Sequence, residues 1–132
     1  FKRVLNLKIQ IMSIFNIFNS NDKPKENYQV YTYCTKDGLA YFKFSYHKIP
    51  QGFEVDIHSQ PSYKGRKEKL TVSHRLLSPR DTEFKICVND GFEPQTLEYA
   101  KHLSTEWAEF THVYIKTGTT IDRQIEIKYG AF

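Results

Sequence analysis

A chain of 132 residues with 39% hydrophobic content, 10 Phe and 9 Tyr carries enough apolar surface for one folded core, which excludes a disordered tail. The charge balance of 19 Lys+Arg against 15 Asp+Glu gives +4, but Lys2, Arg3 and Lys8 account for three of the excess charges, so the total is no argument for nucleic-acid binding. Two cysteines, Cys34 and Cys87, in strand-like runs and without a Cys-x-x-Cys spacing indicate neither a disulfide framework nor a zinc site. They are expected to be small buried thiols in a reducing, cytoplasmic setting.

In residues 1–11, Leu5, Leu7, Ile9 and Ile11 alternate with Asn6, Lys8 and Gln10, the period of a half-buried strand. Met12 offers a natural start, so 1–11 are expected to be upstream sequence or one added edge strand, dispensable for folding. Polar residues break the apolar run from Val4 to Phe18 and no small-residue cleavage site follows it, so neither a membrane span nor a signal peptide is expected there. The polar stretch that follows, Asn21-Asp22-Lys23-Pro24-Lys25-Glu26, marks a linker, so 1–27 are assigned to an N-terminal segment and 28–132 to a single domain.

Aromatic and β-branched runs over 28–35 and 39–47 flank Lys36-Asp37-Gly38, a hairpin signal because glycine readily takes the positive φ of tight turns. After Pro50-Gln51-Gly52, the apolar residues Phe53, Val55 and Ile57 alternate with Glu54, Asp56 and His58, giving a third strand with one wet face. Residues 69–76 and 83–88 are expected to be the fourth and fifth strands.

Beyond Asn89-Asp90-Gly91 the period changes. Leu97, Ala100, Leu103, Trp107, Phe110 and Tyr114 recur at three- and four-residue intervals, which predicts a long amphipathic helix with Thr96 as N-cap and Gly118 as its left-handed end. Ile121, Ile125, Ile127 and Tyr129, with Arg123 in phase, suggest a closing strand. The expected architecture is α+β, an antiparallel sheet of five or six strands with one long amphipathic helix packed across one face.

Charge is segregated along the chain. From Lys64 to Arg80 there are six basic residues (Lys64, Arg66, Lys67, Lys69, Arg75, Arg80) and one acid, Glu68, a local charge of +5. Clustered Lys and Arg suit phosphate or carboxylate, so Tyr63, Lys64, Arg66, Lys67, Lys69 and Arg75 are the candidate binding residues for an anionic partner, either nucleic acid or an acidic protein surface. Tyr63 in that loop can stack a base. The bland alternative is a charged edge that keeps a sheet from aggregating.

His58 and His74 would face each other if the third and fourth strands formed a hairpin. With Lys64 or Arg66 beside them they would suit metal-independent, ribonuclease-like phosphodiester cleavage by general acid and base. His102 with Glu106, and Glu109 with His112, lie one helical turn apart, but without a second long helix they read as surface pairs rather than metal ligands. No cofactor motif is present, so a non-enzymatic binding or regulatory domain is expected, with a protein-inhibitor or immunity-type module and the phosphodiesterase as alternatives.

Overall fold

The computed structural model describes residues 28–130. The expectations for 1–27 lie outside the described residues. Five strands form one antiparallel sheet: β1 (Tyr31–Cys34), β2 (Tyr41–Ile49), β3 (Gly52–Ser59), β4 (Arg75–Leu77) and β5 (Phe84–Ile86), in the order β1-β2-β3-β5-β4. A short helical turn, α1 (Leu70–Ser73), precedes β4, and two helices, α2 (Leu97–Thr117) and α3 (Ile121–Tyr129), close the chain. The class is α+β, with the long helix packed on one face of the sheet, against β2 and β3.

The β1–β2 turn forms where Asp37-Gly38 predicts it. The Gly38 amide donates to the Thr35 carbonyl at 2.8 Å with Gly38 at φ 76°, while the Asp37 carboxylate accepts from the Thr35 hydroxyl at 2.7 Å and the Leu39 amide at 3.0 Å. His112 reaches Asp37 at 2.6 Å and Glu109 accepts the Lys36 amide at 3.0 Å, so α2 holds the hairpin. These contacts engage both α2 residues that the sequence paired as His112 and Glu109. His102 stays exposed, 3.4 Å from Glu106.

Alternation along β2 and β3 separates two chemistries. Phe42, Phe44, Val55 and Ile57 face α2 and pack around Trp107, which is fully buried, stands edge-on to Phe42 and Phe44, and donates through Nε1 to the Ser73 carbonyl at 3.0 Å. Truncating such a Trp to Ala costs about 3–5 kcal/mol. The opposite positions, Ser45, His47, Glu54, Asp56 and, on β5, Lys85, are polar, and all but Glu54 are buried. A buried polar layer needs internal partners, and Glu54 and Asp56 supply them.

Thr96 caps α2 by accepting the Tyr99 amide at 3.1 Å, and Gly118, at φ 83°, ends it with its amide on the Tyr114 carbonyl at 2.8 Å. The expected closing strand is a helix instead. Thr120 caps α3 by accepting the Arg123 amide at 3.2 Å, and only Ile121 and Ile125, one turn apart, are buried. Ile127 and Tyr129, which completed the two-residue period, are 66% and 55% exposed.

The expected fourth strand over 69–76 is also corrected. Its first half winds into α1, His74 takes a left-handed φ of 54°, and only Arg75–Leu77 joins the sheet. That strand pairs with β5 rather than β3, so the connection from β3 skips a sheet position. Cys87 is buried as expected, whereas Cys34 is exposed on the edge strand β1, and no disulfide joins the two. Among the described residues no helix is long and apolar enough to cross a membrane.

Candidate functional site: the basic connection between β3 and β4

The segment between β3 and β4 is fastened at several points. Tyr63 is buried with its ring 6.2 Å from that of Tyr114, and its carbonyl accepts the Arg66 amide at 3.0 Å across a turn whose central residues, Lys64 and Gly65, have φ of 52° and 86°. Two successive positive φ values are the signature of a tight turn of the hairpin type, and glycine tolerates the second without strain. The Lys64 amide donates to the Ser62 hydroxyl at 3.2 Å.

The turn is also clipped to the end of α2. Tyr114 donates its hydroxyl to the Lys67 carbonyl at 2.7 Å, and Arg66 donates through Nε to the Ile115 carbonyl at 3.3 Å. A guanidinium there complements the negative end of the helix dipole and an orphan carbonyl of the last turn. Lys64, Lys67 and Lys69 are exposed and make no ion pair among the described residues.

The six basic residues therefore divide. Four, Lys64, Arg66, Lys67 and Lys69, lie on the surface beside the exposed Glu68, while Arg75 and Arg80 are buried, 5% and 6% exposed. Arg80 donates to Asp56 through Nε at 2.7 Å and Nη2 at 3.0 Å, and to Glu54 at 2.8 Å, so its charge is spent within the sheet's polar layer. Lys85 donates to the other Glu54 oxygen. Burial pushes the Glu54 carboxyl up, but Lys85 and Arg80 outweigh it and hold the group below its usual range.

Arg75 lies on the helix side of the sheet. Nε donates to the Ser73 hydroxyl at 3.0 Å, Nη1 to the Gln60 side-chain carbonyl at 3.3 Å and Nη2 to the Glu68 backbone carbonyl at 3.2 Å. Its guanidinium sits 3.9 Å from the Phe84 ring centre and 5.0 Å from that of Tyr63. Tyr63 and Arg75 thus serve first as anchors of the connection. Tyr63 is not the exposed stacking platform expected from the sequence, and its burial, only partly offset by Arg75, raises the phenol above its usual pKa.

The two candidate acid-base histidines are not brought together. His74 is buried beside α1 with Nε2 2.9 Å from Asp122 of α3, whereas His58, the penultimate residue of β3, has Nε2 2.7 Å from the Ser45 hydroxyl. The physical reason is the strand order, since β5 occupies the place beside β3 that a hairpin would have given to β4. His58 has a different neighbour, His47, whose Nε2 is also 2.7 Å from the Ser45 hydroxyl and 3.4 Å from Asp56.

Tyr28 closes over this pair, its ring centre 4.9 Å from His47 and 5.4 Å from His58, and donates its hydroxyl to Asp81 at 2.6 Å. Burial lowers the His58 pKa against the opposing pull of Asp56 and Asp81, with His47 adding to the depression. The donated Tyr28 hydroxyl holds Asp81 below the usual carboxylate range. Ser45, His47, Tyr28 and Asp81 were not singled out in the sequence, although the alternation of Phe42, Phe44 and Tyr46 already placed Ser45 and His47 on the face away from the helix.

Comparison with known proteins adds nothing to these residues: no protein family, curated protein or solved structure matches the chain.

Proposed function

We propose that this α+β domain is a non-enzymatic binding module that engages an anionic partner by charge, through Lys64, Lys67 and Lys69 with Arg66 beside them. The observation that supports this most is that three exposed lysines, without ion pairs among the described residues, share one short connection that buried aromatic and arginine anchors hold in place. Preorganised cations lose less conformational freedom on binding than cations on a loose tail. With Tyr63 buried, the surface offers charge rather than base stacking, which suits a nucleic-acid backbone or an acidic protein surface. The exposed, unbridged Cys34 accords with a reducing, cytoplasmic setting.

Fluorescence anisotropy with labelled single-stranded and duplex oligonucleotides and with labelled polyglutamate, each at several salt concentrations, tests the proposal. Changing Lys64, Lys67 and Lys69 together to Gln should weaken binding and, for an oligonucleotide, shallow the log-affinity against log-salt slope by about 2 to 3, one counterion per lost contact. The fold should persist, because exposed substitutions change stability by about 0.5 kcal/mol or less. Polyglutamate binding without oligonucleotide binding selects the protein-partner branch. No binding of either polymer at low salt overturns the proposal.

A further inference from the structure

Arg75 differs from every other buried cation in the described residues. Arg80 and Lys85 each meet a carboxylate, but Arg75, 5% exposed, forms no ion pair. A buried charge ordinarily has a compensating partner. The rings of Phe84 and Tyr63 stabilise the guanidinium through its π contacts, and three of its five N–H groups have acceptors. Two N–H groups, one on each terminal nitrogen, have no acceptor among the described residues, and paired terminal N–H groups are what a carboxylate binds.

Arg75 lines an open cavity of about 590 Å³ between the end of β3 and the start of β5, a size within the range of small-molecule sites. His58, Gln60 and Phe84 form part of the same wall, and Asp81 and Glu83, both exposed carboxylates, complete it. Each simple ligand meets an obstacle here. A bare anion would face two carboxylates, and a bare cation would face the guanidinium.

We infer that this cavity is a binding site for a small zwitterion, such as a free amino acid or short peptide, whose carboxylate docks on Arg75 beside Gln60 while its ammonium lies toward Asp81 and Glu83. Arg supplies the planar, two-pronged donor that a carboxylate fits. The site is independent of the lysine surface, since none of Lys64, Lys67 or Lys69 lines the cavity.

The test is a ¹H–¹⁵N NMR titration of the full chain with γ-aminobutyrate and glycylglycine, with butyrate, butylammonium and inorganic phosphate as single-sign probes. At least one zwitterion should give saturable shifts at His58, Gln60 and Phe84, and each single-sign probe should bind at least about ten-fold more weakly, the loss expected when one charge contact is removed. Arg75→Met, which keeps an apolar side chain against Phe84 and Tyr63, should abolish the shifts. In case that buried substitution unfolds the chain, Glu83→Gln on the exposed wall should weaken the zwitterion about three-fold or more while leaving butyrate unchanged or tighter. The lysine triple variant should bind the zwitterion like the parent. The inference is overturned if no zwitterion gives saturable shifts, if butyrate or phosphate binds as tightly, or if Glu83→Gln leaves zwitterion binding unchanged.

Discussion

Removing the Asp56 carboxylate should show whether Arg80 belongs to the scaffold or to the basic surface. Asp56 is fully buried and accepts two hydrogen bonds from Arg80, at 2.7 and 3.0 Å, and one from the Ser78 hydroxyl at 3.0 Å. In Asp56→Ala the guanidinium stays buried and keeps only Glu54, which it shares with Lys85. Breaking a buried pair from one side costs about 3–5 kcal/mol, a large part of the roughly 5–15 kcal/mol that holds a domain folded. With a urea slope near 2 kcal/mol/M, the unfolding midpoint should fall by about 1.5 to 2.5 M. The double variant Asp56→Leu/Arg80→Met removes both charges at similar volume and should recover most of that loss. A single-variant loss under about 1 kcal/mol, the scale of a solvated pair, would refute the burial argument and return Arg80 to the surface patch.

Two further predictions concern the groups around the site. His58 and Glu54 both have depressed pKa values in the fold, so the unfolded chain takes up their protons first and stability must fall with acid: first as pH drops below the ordinary imidazole value of 6.5, then again below the ordinary glutamate value of 4.5. Urea midpoints measured across that range should decline in both steps, and His58→Gln should remove only the first; a midpoint that is flat or rises from pH 6.5 to 5 contradicts the assignment. Gly118→Ala places a Cβ 2.8 Å from Arg66 Nη1 at a φ of 83°, so it should cost about 1–2 kcal/mol from the left-handed backbone and lower Tm by about 5–10 °C, whereas an unchanged Tm refutes the role given to this glycine.

The elements legible in the sequence were those whose local signals agreed. Asp37-Gly38 marked a turn, and Thr96, Gly118 and the stripe through Trp107 marked a helix, because capping, turn chemistry and periodicity act over a few residues. The segment from Ile121 to Tyr129 was ambiguous, since Ile121 and Ile125 satisfy both a two-residue and a four-residue repeat. Thr120, placed to cap the first turn, decides for the helix, and the exposure of Ile127 shows that the two-residue pattern carried no burial. His74 illustrates a different limit. Its separation from His58 follows from β5 entering the sheet between β3 and β4, a long-range pairing that no local pattern encodes.

A charge count in sequence carries no depth, and depth decides what each arginine does. The +5 run mixes surface lysines and Arg66 with two buried arginines, Arg75 and Arg80, that fold into opposite sides of the sheet. Arg80 enters the polar layer, where β3 presents Glu54 and Asp56 at alternate positions, and its charge is cancelled there. Arg75, one strand further out and in phase with Phe84 and Ile86 of the apolar side, meets rings and neutral oxygens instead. An arginine neutralised by acids is held by what it would leave unpaired, since removing it strips Asp56 of its guanidinium and leaves Glu54 to Lys85 alone. Arg75 is held instead by neutral acceptors and ring faces, which leave its charge without an acid among the described residues, and on the inference above a ligand carboxylate supplies one. The same residue type, five positions apart, is therefore cancelled by carboxylates in one place and held by rings and neutral oxygens in the other.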